Sequence, residues 1–228
     1  RVISMNRILE FGKGLLGLFL FYFLQIGFQL LFYNILIKDN FLINNILYII
    51  MELILVIVLS LMNYKKLKND YAKFNENHKK YLKYGLKLWL IGLGIMMLSN
   101  AIIYNIVGNI GNNEEINRQM ITKYPIYMII STMMFAPFIE ELTFRGNFKD
   151  AFKNKNIFII FTAILFAGVH VLNGITSPVE LLYFIPYGAL SLAFGKIYME
   201  TDNIYTTMVI HSIHNSLSII LMVLTSVI

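Results

Sequence analysis

The stretch Ile126–Phe148, IYMIISTMMFAPFIEELTFRGNF, is long and apolar enough for a helical membrane crossing, yet three charges gather near its end: Glu140, Glu141 and Arg145. An ionisable side chain at the centre of a bilayer costs roughly 2.5 kcal/mol or more, so such groups face a protein interior or a water-filled cavity. The stretch therefore reads as one transmembrane helix of a polytopic protein, and its Glu-Glu pair is the first candidate for a reactive centre.

The remainder of the chain has the same character. Of its 228 residues 57% are hydrophobic and 14% charged, against about 25% charged in soluble domains. Apolar runs approach the roughly 20 residues needed for a helical crossing at seven places: Leu15–Ile37, Phe41–Met62, Leu86–Val107, Ile126–Arg145 or beyond, Ile157–Leu172, Val179–Tyr198 and Ile204–Ile228. The expected fold is all-α, a polytopic transmembrane helix bundle of seven spans, with residues 1–228 as a single integral membrane domain. The chain contains no cysteine, which excludes disulfides, thiolate metal ligands and a cysteine nucleophile. No cleavable signal peptide is expected, because the first apolar run lacks a small-residue cleavage pattern and further spans follow.

Basic residues set an expected orientation. Arg1, Arg7 and Lys13 precede the first span, eight lysines lie between Lys65 and Lys87, and Arg145, Lys149, Lys153 and Lys155 separate the fourth span from the fifth. The alternate connections are poor in Lys and Arg, including Asn173–Glu180 with none, so the positive-inside rule places the N-terminus inside and the C-terminus outside. Met199–Asn203 is mute, holding only Glu200 and Asp202. The net charge of +6 is dominated by the lysine-rich segment, which marks the cytoplasmic side of a bilayer rather than a nucleic-acid partner. Within it Asn63–Lys80 has two readings, a solvated loop or an interfacial helix carrying Tyr64, Leu67, Tyr71 and Phe74 at helical spacing.

Three groups of polar residues carry candidate chemistry. Glu141 and Arg145 are four apart and share a helix face, which suits an internal ion pair, while Glu140 points about 100° away and is left to exchange a proton. Pro137 removes a backbone donor just before them, which is expected to bend the helix and widen the space there. In the fifth span Phe166 and His170 are also four apart, with Gly168 between them. The seventh span holds His211, His214 and Asn215, of which His211 and Asn215 share a face. With about 1.5 Å of rise per residue, all of these groups reach intramembrane depth, and Glu140, His170 and His211 are expected to converge on one water.

A carboxylate with imidazoles in a buried polar cavity suits general acid/base activation of water, with His211 and Asn215 as donors to an oxyanion. The same residue types also describe a zinc site, with Glu140, His170 and His211 as ligands and an open position for water. The His-Glu-x-x-His zinc-protease pattern is absent. Glu52, in the second span, is an ionisable group outside these clusters, paired with a lysine or lying at a helix end.

Glu140-Glu141-Leu142-Thr143-Phe144-Arg145 resembles the E-E-x-x-x-R motif of the CPBP family, the CAAX prenyl proteases and bacteriocin-processing enzymes also called Abi and related to the Ras-converting endoprotease. Phe166–His170 resembles that family's F-x-x-x-H motif and His211–Asn215 its H-x-x-x-N motif. The likeness covers the C-terminal half from about Ile126, and the first three spans add nothing specific. Residues 125–228 are accordingly expected to form the catalytic core and 1–110 an accessory part. The resemblance implies an intramembrane endopeptidase in which Glu140 and His170 activate water, His211 and Asn215 hold the oxyanion, and Glu141, Arg145 and Phe166 organise the site. It requires no cofactor in the metal-independent form, with zinc as the alternative. It implies a peptide or protein substrate at the lipid bilayer, such as a bacteriocin, a peptide signal or a CAAX-like protein. His214 is extra to the motif and has no assigned role. Richness in Ile, Asn and Lys suits an AT-rich bacterial genome and hence a bacterial plasma membrane. Two other functions are compatible with the same residues: a non-catalytic membrane immunity or binding protein, and a proton-coupled transporter.

Overall fold

Every regular element among the described residues is helical, as the apolar runs dictate. The computed structural model describes residues 2–173, 175 and 177–226. Gly174 and Thr176, in the expected connection Asn173–Glu180, lie outside the described residues, as do Val227 and Ile228 at the end of the expected seventh span. The helices are α1 (Val2–Leu31), α2 (Phe41–Met62), α3 (Tyr64–Val107), a polar α4 (Asn112–Lys123), a composite α5 (residues 125–146), α6 (Lys155–Leu172), α7 (Phe184–Thr201) and α8 (Ile204–Ser226). All but α4 supply the seven helices that are long and apolar enough to cross a membrane. The chain is an all-α polytopic membrane protein.

The lysine-rich segment resolves in favour of helix and goes further than expected. It runs without interruption into the third span, so that α3 is 44 residues long, about 66 Å at the α-helical rise. No Gly or Pro occurs between Tyr64 and Tyr84, and the Lys, Leu, Ala and Glu found there are good helix formers.

The chain packs as two compact units, one of Arg1–Lys68, Arg118–Ala151 and His211–Ile228, the other of Asn69–Asn117 and Phe152–Ile210. In the first, Ile121, Tyr124, Tyr127, Met128, Ile219 and Met222 form a buried cluster. Polar side chains of α2 grip the start of α5. Asn44 Nδ2 donates to the Tyr124 hydroxyl at 3.0 Å, and the Tyr127 backbone N–H donates to Asn45 Oδ1 at 2.9 Å. The far end of α5 lies tightly on α1: a Cβ at Gly14 would sit 2.3 Å from the Phe148 ring, and one at Gly17 2.1 Å from the Asn147 amide. Lys66 Nζ donates to the Gly146 carbonyl at 2.7 Å and pairs with Asp150 at 3.1 Å, closing that end of the helix. Between α1 and α2, Asp39 accepts from the Tyr124 hydroxyl and pairs with Lys123 at 3.0 Å. These two partners, the hydroxyl first, hold its carboxyl below the usual carboxylate range.

In the second unit α6 and α7 pack antiparallel, with Gly195 against Ile159 and Thr162. Gly92 of α3 faces Ala193 so closely that an added Cβ would stand 2.9 Å from it. Asn203 caps α8 by accepting from the Thr206 N–H at 3.0 Å, and Asp70 accepts from the Ile204 N–H at 3.0 Å. Both satisfy backbone donors that a helix start leaves open. Asp70, in the lysine-rich segment, is thus a structural group.

Candidate active site

The local backbone of α5 follows from one residue. Pro137 has no N–H, so it cannot donate to the carbonyl of Met133, four residues earlier. The helix around it is π-helical over Ser131–Phe135, and the Ala136 N–H reaches back five residues to the Ser131 carbonyl. Thr132 therefore loses its α-helical donor to Ser131, while its π-helical donor would be Pro137 itself. Two carbonyls are freed, and α8 takes both: Asn215 Nδ2 donates to Thr132 O at 2.9 Å, and Ser212 Oγ donates to Met133 O at 2.5 Å. The turn before Pro137 is thereby a docking surface for the helix that carries His211. π-helical turns of this kind occur frequently at functional sites.

A second π-helical segment, Glu141–Gly146, begins directly after Glu140, and all six of its residues are buried. Arg145 Nη1 donates to Glu141 Oε1 at 2.6 Å, and neither side chain has any exposure to solvent. The same oxygen lies 2.9 Å from His211 Nδ1, and the other ring nitrogen, Nε2, stands 3.7 Å from Glu140 Oε2. One imidazole thus bridges the two carboxylates, and Glu140 keeps 17% side-chain exposure where Glu141 has none. The pair differs in environment as the spacing suggests: Glu141 is matched by a guanidinium, while Glu140 faces a group able to give or take a proton.

His170 and Phe166 belong to the second unit, near the C-terminal end of α6. The His170 ring lies between two aromatic faces, 4.2 Å from Phe166 and 5.1 Å from Tyr187 between ring centroids. Its Nδ1 is 2.8 Å from the Phe166 carbonyl. A carbonyl only accepts, so Nδ1 carries the proton, and in the neutral ring Nε2 is left as the basic nitrogen. Asn113 Nδ2 donates to the Tyr187 hydroxyl at 3.0 Å, fixing the second face of the sandwich.

Residues 122–217 match the family model described as type II CAAX prenyl endopeptidase, Rce1-like. Through them the C-terminal part of the chain is similar to the Rce1-like family. This Rce1-like stretch contains Glu140, Glu141, Arg145, Phe166, His170, His211 and Asn215, all three motifs together. The chain is also similar to curated bacterial proteins. It is 28% identical over 140 residues to the UPF0177 protein YvdC of Lactococcus lactis subsp. lactis, covering 58% of this chain and 51% of that one. It is 26% identical over 152 residues to the UPF0177 protein YxdF of the same organism, covering 58% and 78%. An uncharacterised protein of Mycoplasma capricolum subsp. capricolum is 29% identical over 182 residues, covering 75% and 53%. The chain thus spans about half the length of two of these relatives. No solved structure matches it.

Several residues near these motifs were not legible from the sequence. Tyr187, Ser212, Ser131 and Tyr127 act on motif residues or on the turn that carries them, and each is an ordinary span residue by type. Among the described residues Glu52 pairs with no lysine, and it lies at no helix end: it is buried mid-way along α2, and Oε1 accepts from Ser131 Oγ at 2.7 Å and from the Tyr127 hydroxyl at 3.1 Å. The one available signal was Pro137, whose missing donor obliges other groups to answer the freed carbonyls.

Proposed function

We propose that this protein is an intramembrane endopeptidase in which Glu140, with His170, activates water against a peptide bond of a membrane-associated protein or peptide. The observation that carries it is the buried series Arg145, Glu141, His211 and Glu140, lying within the Rce1-like stretch. As the water oxygen attacks the carbonyl carbon, Glu140 takes the water proton. The C–N bond then breaks, and that proton passes to the departing nitrogen, giving a new carboxylate and amine terminus. His170 presents Nε2 to the same water, a role that rests on the motif resemblance and on the commitment of its Nδ1 proton to Phe166. The tetrahedral oxyanion is held by Asn215, whose amide has a second N–H beyond the one on Thr132, and by Nε2–H of His211 in the doubly protonated ring, since its Nδ1 already donates to Glu141. Glu141 and Arg145 hold the imidazole in place.

Zinc on Glu140, His170 and His211 is the alternative. Among the described residues no three His, Asp or Glu side chains are gathered in metal-binding geometry, and no step is assigned to a metal. Because a Glu-His pair and an Asn donor suffice for attack by water, chelation is expected to leave activity unchanged, and loss on chelation with recovery on adding zinc would overturn that mechanism. The proposed setting is a bacterial plasma membrane with the N-terminus in the cytoplasm, and the proposed substrates are bacteriocins, peptide signals or CAAX-like proteins. Because the chain has no cysteine, single cysteines at His78 and Asn113 tested with an impermeant thiol reagent read the orientation directly; labelling of His78→Cys from outside would reverse it.

The function is tested by comparing peptides released by cells carrying the wild-type protein, Glu140→Gln, or no copy, at matched membrane expression. A processed terminus present only with wild type is expected. Wild type and Glu140→Gln behaving alike, with the deletion different, would instead establish a binding or immunity protein.

A further inference from the structure

Glu52 lies in the part of the chain that the motif resemblance leaves unexplained, yet it faces the Rce1-like stretch. Its Oε1 takes hydrogen bonds from two side chains of α5, Ser131 and Tyr127. Ser131 is the residue at which the first π-helical segment starts, and its carbonyl receives the displaced Ala136 N–H. The next two carbonyls, Thr132 and Met133, are those on which Asn215 and Ser212 dock. Asn45, two helical turns before Glu52 on the same face of α2, fixes the Tyr127 backbone. A carboxyl group in the interior of a membrane helix is costly, and aliphatic packing would serve α2 as well if helix contact were the only need.

We infer that Glu52 is a positioning residue: by holding Ser131 it fixes the π-helical turn on whose freed carbonyls Asn215 is seated. The N-terminal spans are then part of the site's construction rather than an accessory. This rests on the proposed endopeptidase function for its kinetic consequence, but the linkage itself is a property of the fold.

The test uses the full chain reconstituted in lipid, with Glu52→Gln, Glu52→Leu and Ser131→Ala each made in the wild-type and Asn215→Ala backgrounds. Since displacement of a catalytic donor by about 1 Å costs up to ~100-fold, Glu52→Leu is expected to lower kcat roughly 10- to 100-fold with KM little changed. Glu52→Gln, which keeps the acceptor oxygen, should restore most of that rate. In the Asn215→Ala background Glu52→Leu should lose nearly all of its effect, because residues that act as a unit are non-additive. An equal slowing in both backgrounds, or Gln no better than Leu, would overturn the inference. If Glu140→Gln proves as active as wild type, the endopeptidase function fails, and Glu52 is judged by unfolding instead. There the Tm shifts of Glu52→Leu and Asn215→Ala must be non-additive, and simple additivity overturns the inference. Should Glu52→Leu not fold, Ser131→Ala removes a single hydroxyl and takes its place in both cycles.

Discussion

Replacing Arg145 by Met should be among the most destabilising single changes in this protein. The guanidinium and the Glu141 carboxylate are 2.6 Å apart and both side chains are fully buried. At that separation an effective dielectric constant of about 20 gives an attraction of roughly 6 kcal/mol, most of which offsets the cost of taking two charges from water. Removing one partner leaves the other charged and buried, and such changes cost about 3–5 kcal/mol. At ~1.4 kcal/mol per tenfold, the folded-to-unfolded ratio falls by two to three and a half orders of magnitude. Arg145→Met together with Glu141→Leu removes both charges and leaves His211 Nδ1 without its acceptor, a loss of about 1–3 kcal/mol. The double variant should therefore be no less stable than the single one. Reversible unfolding in mixed micelles measures both. A single variant within ~1 kcal/mol of wild type, or a double variant worse than either single by their sum, would refute this account of the buried pair.

Pro137→Ala restores a backbone donor to the Met133 carbonyl, so Ser212→Ala should cost ~1 kcal/mol in the wild type and much less beside Pro137→Ala, read in the same unfolding assay. Gly14→Ala drives a methyl to 2.3 Å from the Phe148 ring and should destabilise by about 1–3 kcal/mol, whereas Gly12→Ala, with nothing within 4 Å, should be nearly silent. Asp39, whose pKa the Tyr124 hydroxyl and Lys123 hold down, adds stability that is fully present above its unfolded value of about 3.9 and is lost as pH falls through the lower folded value. Asp39→Asn should remove that acid-side loss and, because Asp39 also holds the Lys123 pKa up, the matching loss as pH rises through the folded lysine value.

The spans were legible because hydropathy and length alone define them, and the Glu141–Arg145 pair because two opposite charges four residues apart on a helix have few other uses. Asn63–Lys80 was ambiguous because a helix facing water and a solvated loop share a polar composition; the absence of Gly and Pro was the better guide. Tyr187 beside His170 and Ser131 beside Glu52 were not legible, since both depend on which helix lies opposite, and sequence spacing reports only neighbours on one helix. The π-helical turns belong to the same class. Pro137 shows where a hydrogen bond must be missing, but not that Asn215 and Ser212 are the groups that answer it.

The uninterrupted length of α3 makes the lysine segment intolerant of insertion, although its composition resembles that of segments where proteins freely gain and lose residues. Asp70 meets the start of α8 through Ile204 and Asn203, and Gly92, further along the same rod, must face Ala193. One residue added between them would turn Gly92 by about 100° and advance it by about 1.5 Å, presenting Ile91 or the inserted residue itself where only a glycine fits. The 22 residue steps from Asp70 to Gly92 act as a fixed gauge between two contacts. Homologous chains should vary there in residue type but keep the count.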